Sequence, residues 1–410
     1  MLKTHNKNAQ VSSLIHCKPY VHFWFSRVLT TLAYQMLAVA VGWQVYELTD
    51  SPFYLGLVGL AQFLPMFLLT LVVGHVADRF NRQKVICICQ ITEGVGGGLL
   101  AIGSYIGWLS KESIITIVFL IGAARAFEGP TMQAFMPGLV SAKIFPQALA
   151  TVSSANQTAN IIGPAIGGLL YAAGPAYVYC TISVLFLGAS FLISRIKIER
   201  EIRKVHAVNL RELFAGITFI RRKPTILGAI SLDLFAVLLG GATALLPIYA
   251  KDVLFIGPEG VGILRSAPAV GALLMSGFLA HYPLKRKVGR TMFSAVFVFG
   301  LATIVFALST SFVLSLASLV VLGAADVISV VIRSSLVQLQ TPDEMRGRVS
   351  AVNSMFIGTS NQLGEFESGV TAAFFGTVPA LLIGGIGTVL VVILWIKLFP
   401  ELAQADRIAS

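Results

Sequence analysis

Apolar runs of about 20 residues recur twelve times along the chain, separated by short polar stretches. A helix needs about 20 such residues to cross the hydrocarbon core of a bilayer, so each run predicts one crossing. The runs lie near 21–47, 53–76, 85–108, 113–135, 147–172 and 175–194, then near 224–250, 258–280, 290–309, 312–336, 347–374 and 377–398. Pro52, Gly107, Pro175, Pro224, Pro258 and Pro379 punctuate their ends. The longest polar stretch, 195–223, divides the runs into two sets of six. The pattern predicts an all-α membrane protein of twelve transmembrane helices: a six-helix half over 1–194, a cytoplasmic linker over 195–223 and a second six-helix half over 224–410. Within the linker, Leu210, Leu213, Phe214 and Ile217 recur at helical spacing, which predicts an amphipathic helix lying along the membrane.

Composition closes off the alternatives. Of 410 residues, 56% are hydrophobic and only 12% charged, with a mean hydropathy of +0.82. A soluble domain carries about 25% charged residues and needs them on its surface. A soluble enzyme, a disordered chain and a secreted disulfide scaffold are therefore excluded. The net charge of +11 does not call for a nucleic-acid partner. With the N-terminus inside, 24 of the 30 Lys and Arg fall in cytoplasmic segments and only Lys111 and Lys251 fall outside. Cytoplasmic loops collect Lys and Arg, so both termini are expected in the cytoplasm. The basic loops and the lack of a transit pattern fit a bacterial inner membrane. Cys17, Cys87, Cys89 and Cys180 have neither zinc nor redox spacing and read as packing residues. The polar N-terminus has no signal-peptide pattern.

The two halves read as a duplication. An offset of 201 places Gly122, Ala123 and Ala124 on Gly323, Ala324 and Ala325, and Ser153, Thr158, Asn160, Gly163 and Gly168 on Ser354, Thr359, Asn361, Gly364 and Gly369. An offset of 203 aligns Gly74 with Gly277 and Arg82 with Lys285. Parallel halves of this kind are a transporter design, with the substrate site between them.

Three motifs sit in the spans. Residues 74–84 read GHVADRFNRQK, where Gly74 permits close helix approach and Asp78, Arg79 and Arg82 form a charge cluster suited to latching a cytoplasmic gate. Span 4 carries Arg125 and Gly129 in IGAARAFEGP. Span 5 reads ANIIGPAIGG over 159–168; Gly163 and Gly167 admit a neighbouring helix, Gly168 extends the small face and Pro164 removes a backbone donor. These three motifs, in these spans and in this order, resemble the major facilitator superfamily. Residues 341–356, TPDEMRGRVSAVNSMF, resemble its enterobactin-exporter and macrolide-efflux branch. The chain departs from the pattern at Ala159, where a Gly is usual, and at His281, which stands where the second half would repeat Asp78.

Buried charge supplies the candidate chemistry. A charge at a span centre costs at least about 2.5–3.5 kcal/mol, so intramembrane acids are functional by default. Glu128, Asp233 and Asp326 are read as protonatable groups on the pathway, with Arg125 and Arg333 beside them. Arg125 and Glu128, at i and i+3, can pair. Asp326 and Arg333 share a face two turns apart. Asp326 falls opposite Arg125 in the duplicated plan, so an ion pair across the halves is open. The resemblance implies that spans 1, 4, 7 and 10 line a central cavity, which brings in Gln35 on span 1. Arg27 is read as snorkelling to the interface; Glu93 and Arg265 are left between structural and functional roles. Trp24, Trp108 and Trp395 lie near span ends, as interface anchors do, and Trp43 and Tyr46 could mark the outer cavity end.

These features predict a monomeric, proton-coupled exporter of an amphipathic organic molecule such as a siderophore or drug, working by alternating access, with protons, substrate and membrane lipid as partners. The resemblance also admits a lysophospholipid transporter that needs no proton gradient. No nucleotide-binding loop, metal-ligand spacing or catalytic set is present, and no cofactor or enzyme activity is expected. The six His residues are scattered, and no loop is long enough for a receptor domain.

Overall fold

The structure is a computed structural model. It describes residue 14 and residues 16–197, 210–284 and 286–406; within helices, only the backbone is described at 70–72, 74–79, 210–214, 343 and 351. Among the described residues there are helices and no strands. Twelve are long. The first six are α1 Lys18–Thr49, α2 Pro52–Arg79, α3 Arg82–Ile106, α4 Lys111–Phe135, α5 Phe145–Ala173 and α6 Pro175–Ser194. The second six are α7 from Pro224, α8 Pro258–His281, α9 Val288–Leu308, α10 Phe312–Leu339, α11 Asp343–Phe375 and α12 Thr377–Leu398. The helices are all-α and match the expected twelve to within a few residues at each end.

Local chemistry sets the boundaries. The Asn81 side chain caps α3 by accepting from the Lys84 N–H at 3.2 Å. Gly107 ends that helix in the left-handed region, φ 79°. Ser110 then caps α4 by accepting from the Ser113 N–H at 3.3 Å. Helix α7 departs from the expected continuous run: Pro224–Leu239 stops at Gly240 and Gly241, and the chain continues through a 3₁₀ turn Ala242–Leu245, one helical turn Leu246–Ile248 and a π turn Tyr249–Val253. The physical reason is close approach. A Cβ on Gly240 would lie 2.5 Å from the Phe299 ring.

Ten of the helical stretches are long and apolar enough to cross a membrane, by length and composition. The other two are α5 and α11, which carry runs of Ser, Thr, Asn and Gln and occupy corresponding places in the repeat.

The chain clusters into two compact units. The first comprises Met1–Val41 and Leu64–Ala207; the second comprises Gly42–Phe63 and Val208–Ser410. The first unit has an apolar core around Phe23, Ile86, Met132, Phe135 and Ile193. In the second, Leu232, Met292, Phe293, Ile332 and Leu336 form one core and Ile226, Ile230, Val349 and Val352 another. The linker helix Leu210–Arg221 belongs to this second core. At Ile217 and Ile220 it packs on Val349 and Val352, while the side chains of Leu210, Leu213 and Phe214, which make up the rest of the expected apolar face, lie outside the described residues.

One seam recurs in both units. In the first, a Cβ on Gly163 of α5 would lie 2.6 Å from Gln35 Cβ, and one on Gly167 would lie 2.8 Å from Met36 Cα, so α5 packs on the α1 backbone. In the second, Gly364 of α11 stands 201 residues after Gly163, and its Cβ would lie 2.9 Å from the Val237 carbonyl of α7. Duplication thus appears as geometry as well as spelling. Helices α8 and α10 close on each other by the same means. A Cβ on Gly271 would strike the Val320 carbonyl, and one on Gly323 the Pro268 carbonyl.

This packing makes a prediction. Gly323→Ala should lower stability by about 1–3 kcal/mol, because a carbonyl cannot move aside as a side chain can. Gly277→Ala in α8, where nothing lies within 4 Å, should be neutral or slightly stabilising. Thermal unfolding of the purified protein would separate the two, and equal transitions would refute the seam.

Candidate functional site

In the first unit, polar groups from α1, α3 and α4 meet inside the bundle. Glu128 is buried and accepts from the Gln90 side chain at 2.9 Å; Gln90 also donates to Ser26 Oγ at 3.1 Å. Glu93, fully buried, accepts from the Tyr34 hydroxyl. The Arg125 guanidinium lies over the Tyr34 ring, 4.2 Å from its centre, and Phe186 packs edge-on against that ring. Arg125 and Glu128 therefore do not form the expected pair: Glu128 takes its bond from Gln90, while Tyr34 holds Arg125 by cation–π contact. Gln35 donates to Asn160 Oδ1 at 2.7 Å, and Thr31 to Asn156 Oδ1 at 3.0 Å, so α1 and α5 share a polar ladder beside the glycine seam.

The second unit centres on one ion pair. Arg333 Nη1 donates to Asp233 Oδ2 at 2.6 Å, and Ser329 Oγ donates to Asp233 Oδ1 at 3.0 Å. Asp233 and Arg333 are 4% and 3% exposed, so the pair has almost no water around it. Asp326 lies one turn from Ser329 on α10. It lines a cavity of about 10 Å³ with Asp233, Ala236, Phe299 and Ser329, about the room one water needs. The sequence placed Arg333 on the Asp326 face; the structure gives it a partner from α7 instead. Arg125 and Asp326 fall in different units. Arg265 lies 4.0 Å from Glu365.

The gating motif is only partly described. The backbone of α2 is helical through Arg79, but the surroundings of Gly74 and the side chains of Asp78 and Arg79 lie outside what is described. Arg82 is buried and donates to the Ala134 carbonyl at 2.9 Å, tying the start of α3 to the end of α4. In the span 5 motif, Gly163, Pro164, Gly167 and Gly168 are all buried.

Sequence reasoning missed Tyr34, Gln90 and Ser329, which supply bonds to the buried charges. A polar side chain in an apolar run was the available signal for Gln90. Two tryptophans near span ends also bond within their own units. Trp395 donates to Ser231 Oγ at 2.9 Å and packs with Phe399, so it belongs to the helix bundle. Trp24 donates to the Thr151 carbonyl at 3.3 Å and lines a cleft of about 410 Å³ with Gln147, Thr151, Ser154 and Thr158. Tyr46 is buried and bonds Asp252, with Lys251 above its ring and paired to Asp50 at 2.7 Å.

Twelve long helices in a duplicated plan, with paired charge inside the bundles, define a multi-pass membrane transporter and not an enzyme. The chain belongs to the major facilitator superfamily: a family model described as a transmembrane secretion effector matches residues 13–410. Its relatives include the enterobactin exporter EntS of Shigella boydii serotype 18 (strain CDC 3083-94 / BS512), 26% identical, with 97% of each chain covered. EntS of Escherichia coli (strain 55989 / EAEC) is equally similar. Solved structures share the fold. A bacterial homologue of the human lysosomal transporter Spinster, inward-facing and unoccupied, has a TM-score of 0.72 at 13% identity, covering 94% of this chain and 95% of that one. The nucleoside transporter NupG gives 0.68 at 15% identity, covering 93% and 99%. A bacterial homologue of the iron transporter ferroportin, inward-facing, gives 0.69 at 16%, covering 94% and 98%.

The buried pair can be tested by stability alone. Arg333→Ala leaves Asp233 without its counter-charge and should destabilise by about 3–5 kcal/mol. Adding Asp233→Ala should recover part of that loss. A double-mutant cycle on thermal unfolding that gives additive effects would show that the two side chains do not interact.

Proposed function

We propose that this transporter is a proton-coupled exporter of an amphipathic organic molecule, a siderophore or a drug, working by alternating access in a bacterial inner membrane. It acts as a monomer with both termini in the cytoplasm. The observation that carries the reading is the buried Asp233–Arg333 pair with Asp326 beside it at a water-sized cavity. A proton delivered to that group of residues cancels one negative charge, which loosens the hold on Arg333. One charge crossing 100 mV is worth about 2.3 kcal/mol, enough to bias two states of similar energy. Glu128 and Arg125 supply a second acid and base in the first unit, and Gln35 contributes at its seam. Residues 1–194 and 224–410 act as the two moving halves joined by 195–223. Gly74, Asp78, Arg79 and Arg82 latch the cytoplasmic gate. The close α1–α5 seam at Gly163, Pro164, Gly167 and Gly168 favours export. The siderophore reading draws on the names of the EntS relatives. The orientation draws on the 24 basic residues of the segments assigned to the cytoplasm.

Proteoliposomes holding the purified protein test this. Under an imposed proton gradient, export of a catecholate siderophore or a macrolide should rise several-fold over the gradient-free rate. Asp233→Asn and Asp326→Asn should abolish that rise. Movement of a lysolipid instead, at a rate indifferent to the gradient, would replace both substrate and coupling.

A further inference from the structure

We propose that Arg265, set between the break in α7 and Glu365 of α11, is a recognition point for a carboxylate on the transported molecule; the proposal rests on the exporter reading and narrows its substrate to amphipathic organic acids. Arg265 sits seven residues into α8, about 10 Å along a helix that is long and apolar enough to cross a membrane. A charge at that depth belongs against protein or water and not against lipid. Both of its polar neighbours come from the second unit. They are the Thr243 carbonyl, in the 3₁₀ turn that interrupts α7, and the Glu365 carboxylate. The guanidinium therefore turns toward the bundle.

There it is poorly answered. A guanidinium carries five N–H donors in a planar fork. Nη1 reaches the Thr243 carbonyl at 3.5 Å, the outer limit of a hydrogen bond, and Nη2 stands 4.0 Å from Glu365 Oε1, too far for one. Arg333 of the same unit shows a closed pair, bonded at 2.6 Å with its side chain 3% exposed. The Arg265 side chain keeps 20% of its surface open and that of Glu365 28%. Glu365 is also backed by α2: a Cβ on Gly59 would lie 2.9 Å from Glu365 Cβ and 3.2 Å from its Oε2. One carboxylate oxygen thus leans on α2 while the other faces Arg265 across a gap. The interrupted α7 completes the setting, since transporters bind substrate where a membrane helix is unwound. A planar anion with two oxygens fits the guanidinium fork with two parallel bonds. Glu365 is then the competitor that the carboxylate of the guest displaces.

The test uses 4-(trifluoromethyl)benzoate and 4-(trifluoromethyl)benzamide, which share ring and size and differ in charge. Each is titrated by ¹⁹F NMR into the full chain in phosphatidylcholine nanodiscs at neutral pH, with empty nanodiscs as the reference. The benzoate should bind about tenfold more tightly than the benzamide. Arg265→Gln should bring that ratio close to one, and Arg265→Lys, which keeps the charge without the fork, should retain part of it. Glu365→Gln should tighten the benzoate several-fold and leave the benzamide unchanged, whereas a merely structural contact would weaken both probes in either variant. Equal affinity for the two probes, no binding of either, an unchanged ratio in Arg265→Gln, or weaker benzoate binding in Glu365→Gln would overturn the site. Binding is read without a gradient, so a failure of proton coupling would leave these titrations as they are. Gradient-driven export alongside equal probe affinities would sink the carboxylate site and leave the exporter reading standing.

Discussion

A charge carried into hydrocarbon has to be answered by protein, because the bilayer offers neither water nor hydrogen bonds. The rest of this molecule is arranged around that demand. Asp233 is held by two groups from α10, Arg333 and Ser329. Glu128 draws on Gln90, which reaches on to Ser26, while Glu93 and Arg125 meet at the two sides of Tyr34. Such short bonds need helices that stand close together. Glycines supply such approaches through both units: Gly96 sets α3 against Ile121 of α4, Gly163 and Gly364 let α5 and α11 rest on the backbones of α1 and α7, and Gly271 and Gly323 bring α8 against α10. Polar clusters and glycine seams are two parts of one solution.

That solution is tight in some places and open in others. The Asp233–Arg333 pair is sealed, whereas Asp326 touches a space large enough for a water. In the first unit the carboxyl groups of Glu93 and Glu128 are enclosed, while the α5 stripe below Trp24 faces a cleft. Sealed charge keeps its interaction strong, because no water competes for either partner.

Much of this was legible in the sequence. The twelve spans followed from apolar runs, because a bilayer enforces length and composition more strictly than water does. The seam between α1 and α5 was foreshadowed by the Gly163 and Gly167 spacing. The partners of charges were not legible, since a helical period places Arg333 and Asp326 on one face but says nothing about which helix faces them. Asp233 lies 100 residues away from Arg333. Arg125 and Glu128 met the spacing rule for a pair, yet Tyr34 and Gln90 competed successfully for them. The partners of the Trp24 and Trp395 indole N–H groups, the Thr151 carbonyl and Ser231 Oγ, were likewise not legible from their places near span ends. The break in α7 was written as adjacent glycines at 240 and 241, a signal that passes for flexibility until the Phe299 ring is seen against it.

The low hydropathy of α5 and α11 reaches back to how the chain is made. A segment rich in Ser, Thr, Asn and Gln partitions poorly from the translocon into lipid as an independent unit. The remaining ten stretches are apolar enough by length and composition to enter without help. So α5 and α11 must be taken into the membrane alongside helices that arrived before them, and the α1 and α7 backbones onto which Gly163 and Gly364 close are already there when they emerge. The same contacts that shape the finished transporter would then act during biogenesis as the docking sites that rescue its two most reluctant helices.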